Sequence, residues 1–255
     1  DKIIDKSVMG LKKKLKKFFY RNKYKIQNTK LKIIENKNIL ITGSNSGIGL
    51  ALTKKLIENN NLVIATYRNK LNNLESLKHK NLITVHCDQE HEEQIENIKN
   101  KIKDLKIDIL INNTGIWGPS HQELENIDYE AFKKALMINA LSAIKFTDVI
   151  LKNCKKDHLK LIVNISSSAG SIEKNKEGNS YIYRTSKTAL NSITKNMSID
   201  LKKKYNINVF AIDPGNVKTN LNSNGMLEST ECANQIIDLI FDYGESLNGK
   251  FVDLI

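Results

Sequence analysis

The sequence predicts an α/β fold: a single doubly wound parallel sheet of about seven strands with helices on both faces. Three observations lead there. Apolar runs of four to seven residues, rich in Ile, Leu and Val, recur along the chain and read as strands buried on both faces. Amphipathic stretches of helical length separate them about six times, and that alternation builds a parallel sheet. No Pro- or Gly-rich linker interrupts residues 37–255, and 255 residues suit one large domain.

Taken in order, strands are expected at Ile39–Thr42, Leu62–Thr66, Leu82–Cys87, Ile107–Ile111, Leu159–Ile165, Val209–Ile212 and Phe251–Ile255. Between them, helices are expected at Ile48–Glu58, Glu90–Lys103, Tyr129–Lys152, Tyr183–Lys203 and Glu231–Phe241. Met137 and Phe146 fall at helical spacing and read as core or subunit contact.

Composition narrows the function classes. Hydrophobic residues make up 40% of the chain, which excludes wholesale disorder. No apolar run reaches about 18 residues, so no membrane-spanning helix is expected. The formal net charge of +12 invites a nucleic-acid or membrane reading, but its distribution redirects it. Residues 1–36 hold 12 Lys or Arg against 3 Asp or Glu, while residues 37–255 are nearly balanced. Val8, Leu11, Leu15 and Phe18 recur at spacings of three or four among lysines, the pattern of a short basic amphipathic helix. This extension reads as a contact for an anionic surface, a nucleic acid or a larger complex, as a targeting remnant, or as a solvated tail. The chain opens on Asp1 rather than Met, which reads as a trimmed start. Either the cytoplasm or an organelle such as the mitochondrion accommodates it. Cys87, Cys154 and Cys232 lack ligand spacing and suit a reducing compartment. His91-Glu92 lacks a second histidine, and no metal site is expected.

The first strand runs into Thr42-Gly43-Ser44-Asn45-Ser46-Gly47-Ile48-Gly49 and then a helix. Glycines here permit a tight turn and close approach of backbone to a pyrophosphate, as in Rossmann-type dinucleotide sites. The helix N-terminus adds free N–H groups. Gly43, Ser44, Ser46, Gly47, Ile48 and Gly49 are therefore candidate cofactor contacts. The second strand ends Ala65-Thr66-Tyr67-Arg68, without the acid that selects NAD. Arg68 either pairs with the 2′-phosphate of NADP or is a surface arginine opening a loop; NADP is favoured over NAD. Asp88 closes the third strand, where a carboxylate can accept from an adenine amino group. Asn112-Asn113-Thr114-Gly115 ends the fourth strand, with Asn113 and Gly115 placed to line the cofactor trough.

Tyr183 and Lys187 stand four apart on one helical face. A lysine ammonium near a phenol is expected to lower its pKa from about 10, fitting the tyrosine for proton exchange with a carbonyl or alcohol. Ser167 follows the fifth strand, at the sheet end where ligands bind, and can hold the reacting oxygen.

From Asn38 to Ile255 the ordered motifs resemble the short-chain dehydrogenase/reductase family. They are Thr-Gly-x-x-x-Gly-x-Gly at 42–49, Asp88, Asn-Asn-x-Gly at 112–115, Asn139, Ser167, Tyr-x-x-x-Lys at 183–187, and Pro214-Gly215-x-Val217-x-Thr219. The resemblance implies an oxidoreductase reducing a small-molecule carbonyl to an alcohol. It implies Tyr183 as acid/base, Lys187 on the nicotinamide ribose, Ser167 orienting substrate, and Asn139 holding a relay water. Pro214, Gly215, Val217 and Thr219 would meet the nicotinamide end. The helices around 129–152 and 183–203 would pair across a homo-oligomer.

Within the family, Gly170-Ser171-Ile172, Asn175, Gly178, Tyr181 and Tyr183-Arg184-Thr185-Ser186-Lys187 look like the C-factor and sniffer group of carbonyl reductases. Two departures stand out: Thr114 replaces the usual alanine, and Gln89 follows Asp88 where an apolar residue is common. Trp117 either stacks on substrate or anchors a loop, and residues 220–229 lie where a lid belongs. A contrasting reading keeps the fold as a structural or RNA-binding subunit gripping through its basic tail.

Overall fold

The structure is a computed structural model describing residues 34–153, 158–241 and 247–254. Seven strands form one parallel sheet: β1 (Asn38–Ile41), β2 (Leu62–Tyr67), β3 (Leu82–His86), β4 (Ile109–Asn112), β5 (Leu161–Ile165), β6 (Asn208–Asp213) and, closing the chain, Phe251–Asp253. Their order is β3-β2-β1-β4-β5-β6 with Phe251–Asp253 at the outer edge. All the pairings are parallel, so every carboxyl end points the same way. The direction of winding reverses between β1 and β4, and a crevice opens beside such a switch point.

Six helical segments alternate with the strands: α1 (Gly47–Ile57), α2 (Glu92–Asn97), α3 (Lys99–Ile102), α4 (Tyr129–Leu136), α5 (Ser142–Asn153) and α6 (Tyr181–Tyr205), with α7 (Ser229–Phe241) before the last strand. Period-two alternation within the strands divides the core in two. Ile39 and Ile41 pack with Leu52 and Leu56 of α1 and Cys232 and Ile236 of α7. Leu40 faces the other way, toward Ile95, Ile102, Phe146 and Val149 of α2, α3 and α5. Each such aliphatic side chain, fully buried, contributes roughly 1.5–3 kcal/mol.

Some expectations are corrected. β3 is an edge strand with Thr84 and His86 exposed, because among the described residues no strand pairs with its outer side. The helix expected over Glu90–Lys103 is two pieces, tightened where Ile98 N–H reaches Ile95 O. The long helix around 129–152 contains a π turn at Met137–Leu141, which carries Asn139. Phe146 is wholly buried and Met137 packs beside it, as core. Residues 217–218 and 227–228 pair as two short strands, β7 and β8, which frame the segment expected as a lid. The basic extension lies outside the described residues except for 34–36. Ile34 is buried in the core and its carbonyl accepts from the Asn61 amide, so the packed fold begins before residue 37. Among the described residues no helix is long and apolar enough to cross a membrane.

Candidate active site

A cleft of about 1620 Å³ runs over the carboxyl ends of β2, β1, β4, β5 and β6. One end is lined by Gly43, Asn45, Ser46, Gly47, Arg68 and Lys70, the other by Trp117, Ser167, Tyr183 and Lys187.

At the first end the wall is backbone. Gly43 and Gly47 have φ of +65° and +53°, conformations favouring glycine. A Cβ on Gly49 would stand 2.3 Å from Gly43 O and 2.5 Å from Asn113 Nδ2, so only glycine lets α1 close on the turn. Gly49 therefore lies beneath the cleft wall, and Gly43, Ser46, Gly47 and Ile48 form it. Ser44 also does not reach the cleft wall: it is fully buried and donates to Ile41 O. Its place is taken by Asn45. Asn113 lines the cleft but spends its amide holding the turn, donating to Thr42 O and Gly43 O. Thr42 Oγ1 in return accepts from Asn113 N–H and Thr114 N–H.

The residues fit a dinucleotide. Ser46 precedes α1 without a side-chain cap bond, so its hydroxyl is not committed to its own helix. Arg68 is exposed on the wall beside Lys70, with no acid between Thr66 and Lys70. Asp88 lines the neighbouring wall and accepts from Glu90 N–H. Asp88, Glu90 and His91 bring ligand atoms within 4.8 Å of one another, but Glu90 is paired with Lys134. Pro214, Gly215, Val217 and Thr219 all reach the cleft. Thr219 Cγ2 lies 3.0 Å from where a Gly47 Cβ would sit, so the chain just after β7 packs against the phosphate turn.

The two departures at Gln89 and Thr114 meet: Gln89, nearly buried, donates through Nε2 to Thr114 Oγ1 at 2.7 Å. The polar substitution on one strand end supplies the partner required by the other.

At the second end the wall is side chains set by distant parts of the chain. Tyr183 is buried on the first turn of α6 and Trp117 lies over its ring, centroids 4.4 Å apart at 32°. Ser167, half-buried after β5, lines the same wall, and its hydroxyl favours the ionised form of the Tyr183 phenol. Lys187 is buried and donates to Ile165 O at 2.9 Å. Gly115 leaves room for this: a Cβ there would lie 3.4 Å from Lys187 Nζ. The stretch between Ser167 and Tyr183 is tied to the last strand by Lys174–Asp253 at 2.7 Å.

The expected lowering of the tyrosine pKa is not found. Burial pushes the Tyr183 phenol up to about 12, against the Ser167 hydroxyl bond that favours phenolate. Lys187 Nζ stands 5.9 Å from the ring centroid and is turned to Ile165 O. Burial also takes Lys187 down to about 8, with the Asp213 carboxylate opposing.

Asn139 does not line the cleft. It is 2% exposed, and its side chain accepts from Ile116 N–H and donates to Ile116 O and Ser186 Oγ. It holds the loop after β4 against α6. Sequence reading also missed Asp213 and Gln122. Asp213, nearly buried at the end of β6, accepts from Gly215 N–H; its place directly before Pro214-Gly215 was the available signal. Gln122 carries no signal in the sequence.

Comparison with known proteins adds to this geometry. Residues 37–228 match the family model described as short chain dehydrogenase. The C-signal protein of Myxococcus xanthus is 30% identical over 148 residues, 58% of this chain and 88% of that one. Benzil reductase ((S)-benzoin forming) of Bacillus cereus is 30% identical over 194 residues, covering 72% and 76%. Among solved structures, the carbonyl reductase Sniffer of D. melanogaster superposes with TM-score 0.79 at 31% identity, over 86% of this chain and 97% of that one. The NADPH-bound carbonyl reductase from chicken fatty liver gives TM-score 0.79 at 26% identity, over 87% and 97%.

Proposed function

The chain belongs to the short-chain dehydrogenase family and is an oxidoreductase of it, and from that premise we propose that it reduces a small-molecule ketone, aldehyde or quinone-like carbonyl, with NADPH as reductant and Tyr183 as proton donor. The carrying observation is the geometry at Tyr183: a buried side chain that lines the cleft together with Ser167 and Lys187, beside Trp117. A phenol is protonated throughout the neutral range; burial that pushes it up to about 12 also makes it a weaker acid, which the Lys187 ammonium one turn on would offset as charge develops.

When bound, NADPH supplies the hydride to the carbonyl carbon. Ser167 then holds the carbonyl oxygen, and Tyr183 passes it a proton as negative charge develops there. Lys187 stands one turn further along α6, placed to hold a ribose hydroxyl and to offset charge on the phenol. Asn139 is a positioning residue in this scheme, fixing Ile116 and Ser186 rather than touching substrate; the relay water of the family stays a proposal. The exposed part of Trp117, 40% of its surface, offers a stacking face to substrate. Arg68 and Lys70 at the far end suit a 2′-phosphate, which favours NADP over NAD. The likeness to a carbonyl reductase with NADPH bound supports that choice.

Leu141 at the end of the π turn, Ile144 on α5 and Ile199 on α6 are exposed apolar residues; pairing of these helices between two copies would cover them. Two free, buried cysteines, Cys87 and Cys232, fit a reducing compartment, the cytoplasm or an organelle.

The test is reduction of a 1,2-diketone or quinone by purified protein. Tyr183→Phe should cut kcat by about 10²–10⁴-fold while NADPH still raises Tm, and raises it more than NADH. A Tyr183→Phe enzyme as fast as the unmodified one overturns the reading.

A further inference from the structure

We propose that Gln122 is a positioning residue for the proton-transfer step, capping the catalytic helix from outside and clamping the loop that seats Trp117 on Tyr183. The inference rests on the reading of Tyr183 as proton donor and adds how that phenol is held.

Helix α6 begins without a local cap. Ser180 precedes it at φ 50°, makes no side-chain cap bond, and the first turn has no acid. The first-turn N–H groups of a helix have no intrahelical acceptor, and here Tyr183 is the third residue. Gln122, 61 positions earlier and 2% exposed, supplies what is missing. Its Oε1 accepts from Tyr183 N–H at 3.0 Å, the bond that a capping serine or aspartate would make. Its backbone carbonyl accepts from Tyr181 N–H at 3.3 Å.

The other half of the same amide faces the loop after β4. Nε2 donates to Trp117 O and to Pro119 O, both at 3.0 Å. A primary amide has two donor hydrogens, so both are used. Gly118 allows the chain to pass this close: its φ is 96°, and a Cβ there would stand 3.4 Å from Nε2. One buried side chain thereby fixes the main chain of Trp117 and the main chain of Tyr183 to each other. With both backbones anchored, the indole meets the phenol at 4.4 Å. The stack hinders rotation of the ring and keeps water from its covered face.

Trp117 is the sole tryptophan, so its emission reports the clamp without depending on turnover. Gln122→Met removes all three side-chain bonds at similar volume. Gln122→Glu keeps an acceptor for Tyr183 N–H but turns a carboxylate on two carbonyls, releasing the loop. Both variants should make Trp117 up to about 2.5-fold more accessible to acrylamide, the ceiling set by the 40% already exposed. Gln122→Met should lower kcat about 10–100-fold with the KM for NADPH changed by less than about twofold. Gln122→Glu should lose less kcat, because the helix cap survives. A folded Gln122→Met or Gln122→Glu protein with unchanged acrylamide quenching and unchanged kcat overturns the proposal. If the methionine variant does not fold, the glutamate variant carries the same test. If the unmodified protein reduces no carbonyl, the function proposal fails, and quenching alone still upholds or overturns the clamp.

Discussion

The two ends of the cleft are built from different materials. At the phosphate end, glycine backbone shapes the wall and the important contacts are between main-chain atoms, Gly49 against Gly43 O above all. At the catalytic end, buried polar side chains do the positioning, and their partners lie far off in sequence: Gln122 on Tyr183 N–H, Asn139 on Ser186, Lys187 on Ile165 O. The first kind of wall fails when atoms are added. The second fails when a hydrogen-bonding partner is taken away or a charge is altered, because buried polar groups are costly when unpaired.

The sharpest way to break that comparison is to add one methyl group at each end. Gly49→Ala forces its Cβ within 2.3 Å of a backbone oxygen that cannot move without opening the turn. Overpacking of this kind should cost about 4 kcal/mol or more, lower Tm by roughly 10 °C and abolish the Tm rise given by NADPH. Gly178, in the stretch leading to Tyr183, also has positive φ at +67°, but nothing lies within 4 Å of its Cβ position. Gly178→Ala should cost only about 1 kcal/mol of backbone strain and leave the NADPH effect intact. Equal losses in calorimetry would mean that strain at φ, rather than close approach, governs both sites.

A second comparison sets charge against packing. Lys187 is buried with its pKa lowered from 10.5 to about 8. Between those values the unfolded chain binds more protons than the folded one, so stability rises with pH through that window. Below about pH 8 the lysine is protonated in both states and its burial penalty is complete. Relative to Lys187→Met, the unmodified protein should therefore gain on the order of 3 kcal/mol between pH 8 and 10.5, with a constant difference at lower pH. Urea unfolding of both proteins at pH 7, 9 and 10 measures it. A difference independent of pH would show that Lys187 is not desolvated.

These contrasts also explain what was legible in the sequence. The inner strands β1, β4, β5 and β6 announced themselves because burial on both faces leaves runs dominated by Ile, Leu and Val, whereas β3 at the edge is mixed. The phosphate turn was legible because glycine spacing is local. Ser44 and Gly49 were placed on the wall because a motif gives spacing, not the direction in which a side chain points. The Tyr183 pKa went the other way from expectation because burial of the phenol dominates, while Lys187 Nζ is held at Ile165 O, a contact spanning 22 positions. Gln122 was invisible for the same reason: nothing near it in sequence reveals that Tyr183 will need a cap.

The smallest expected effect tests the one place where a side-chain pair intrudes on the backbone end. Thr114 and Gln89 are joined by the 2.7 Å bond from Nε2 to Oγ1. Thr114 Oγ1 also lies 2.7 Å from where a Gly43 Cβ would sit, so the pair fills the space that glycine leaves open beside the phosphate turn. Thr114→Ala alone strands a nearly buried amide, and Gln89→Leu alone strands a hydroxyl, each at about 1–2 kcal/mol. The double variant removes both needs at once and should recover about 1 kcal/mol relative to the sum. Denaturant unfolding of the four proteins gives the coupling. If the two losses simply add, the residues are independent departures from the family pattern, and the catalytic end alone relies on paired side chains.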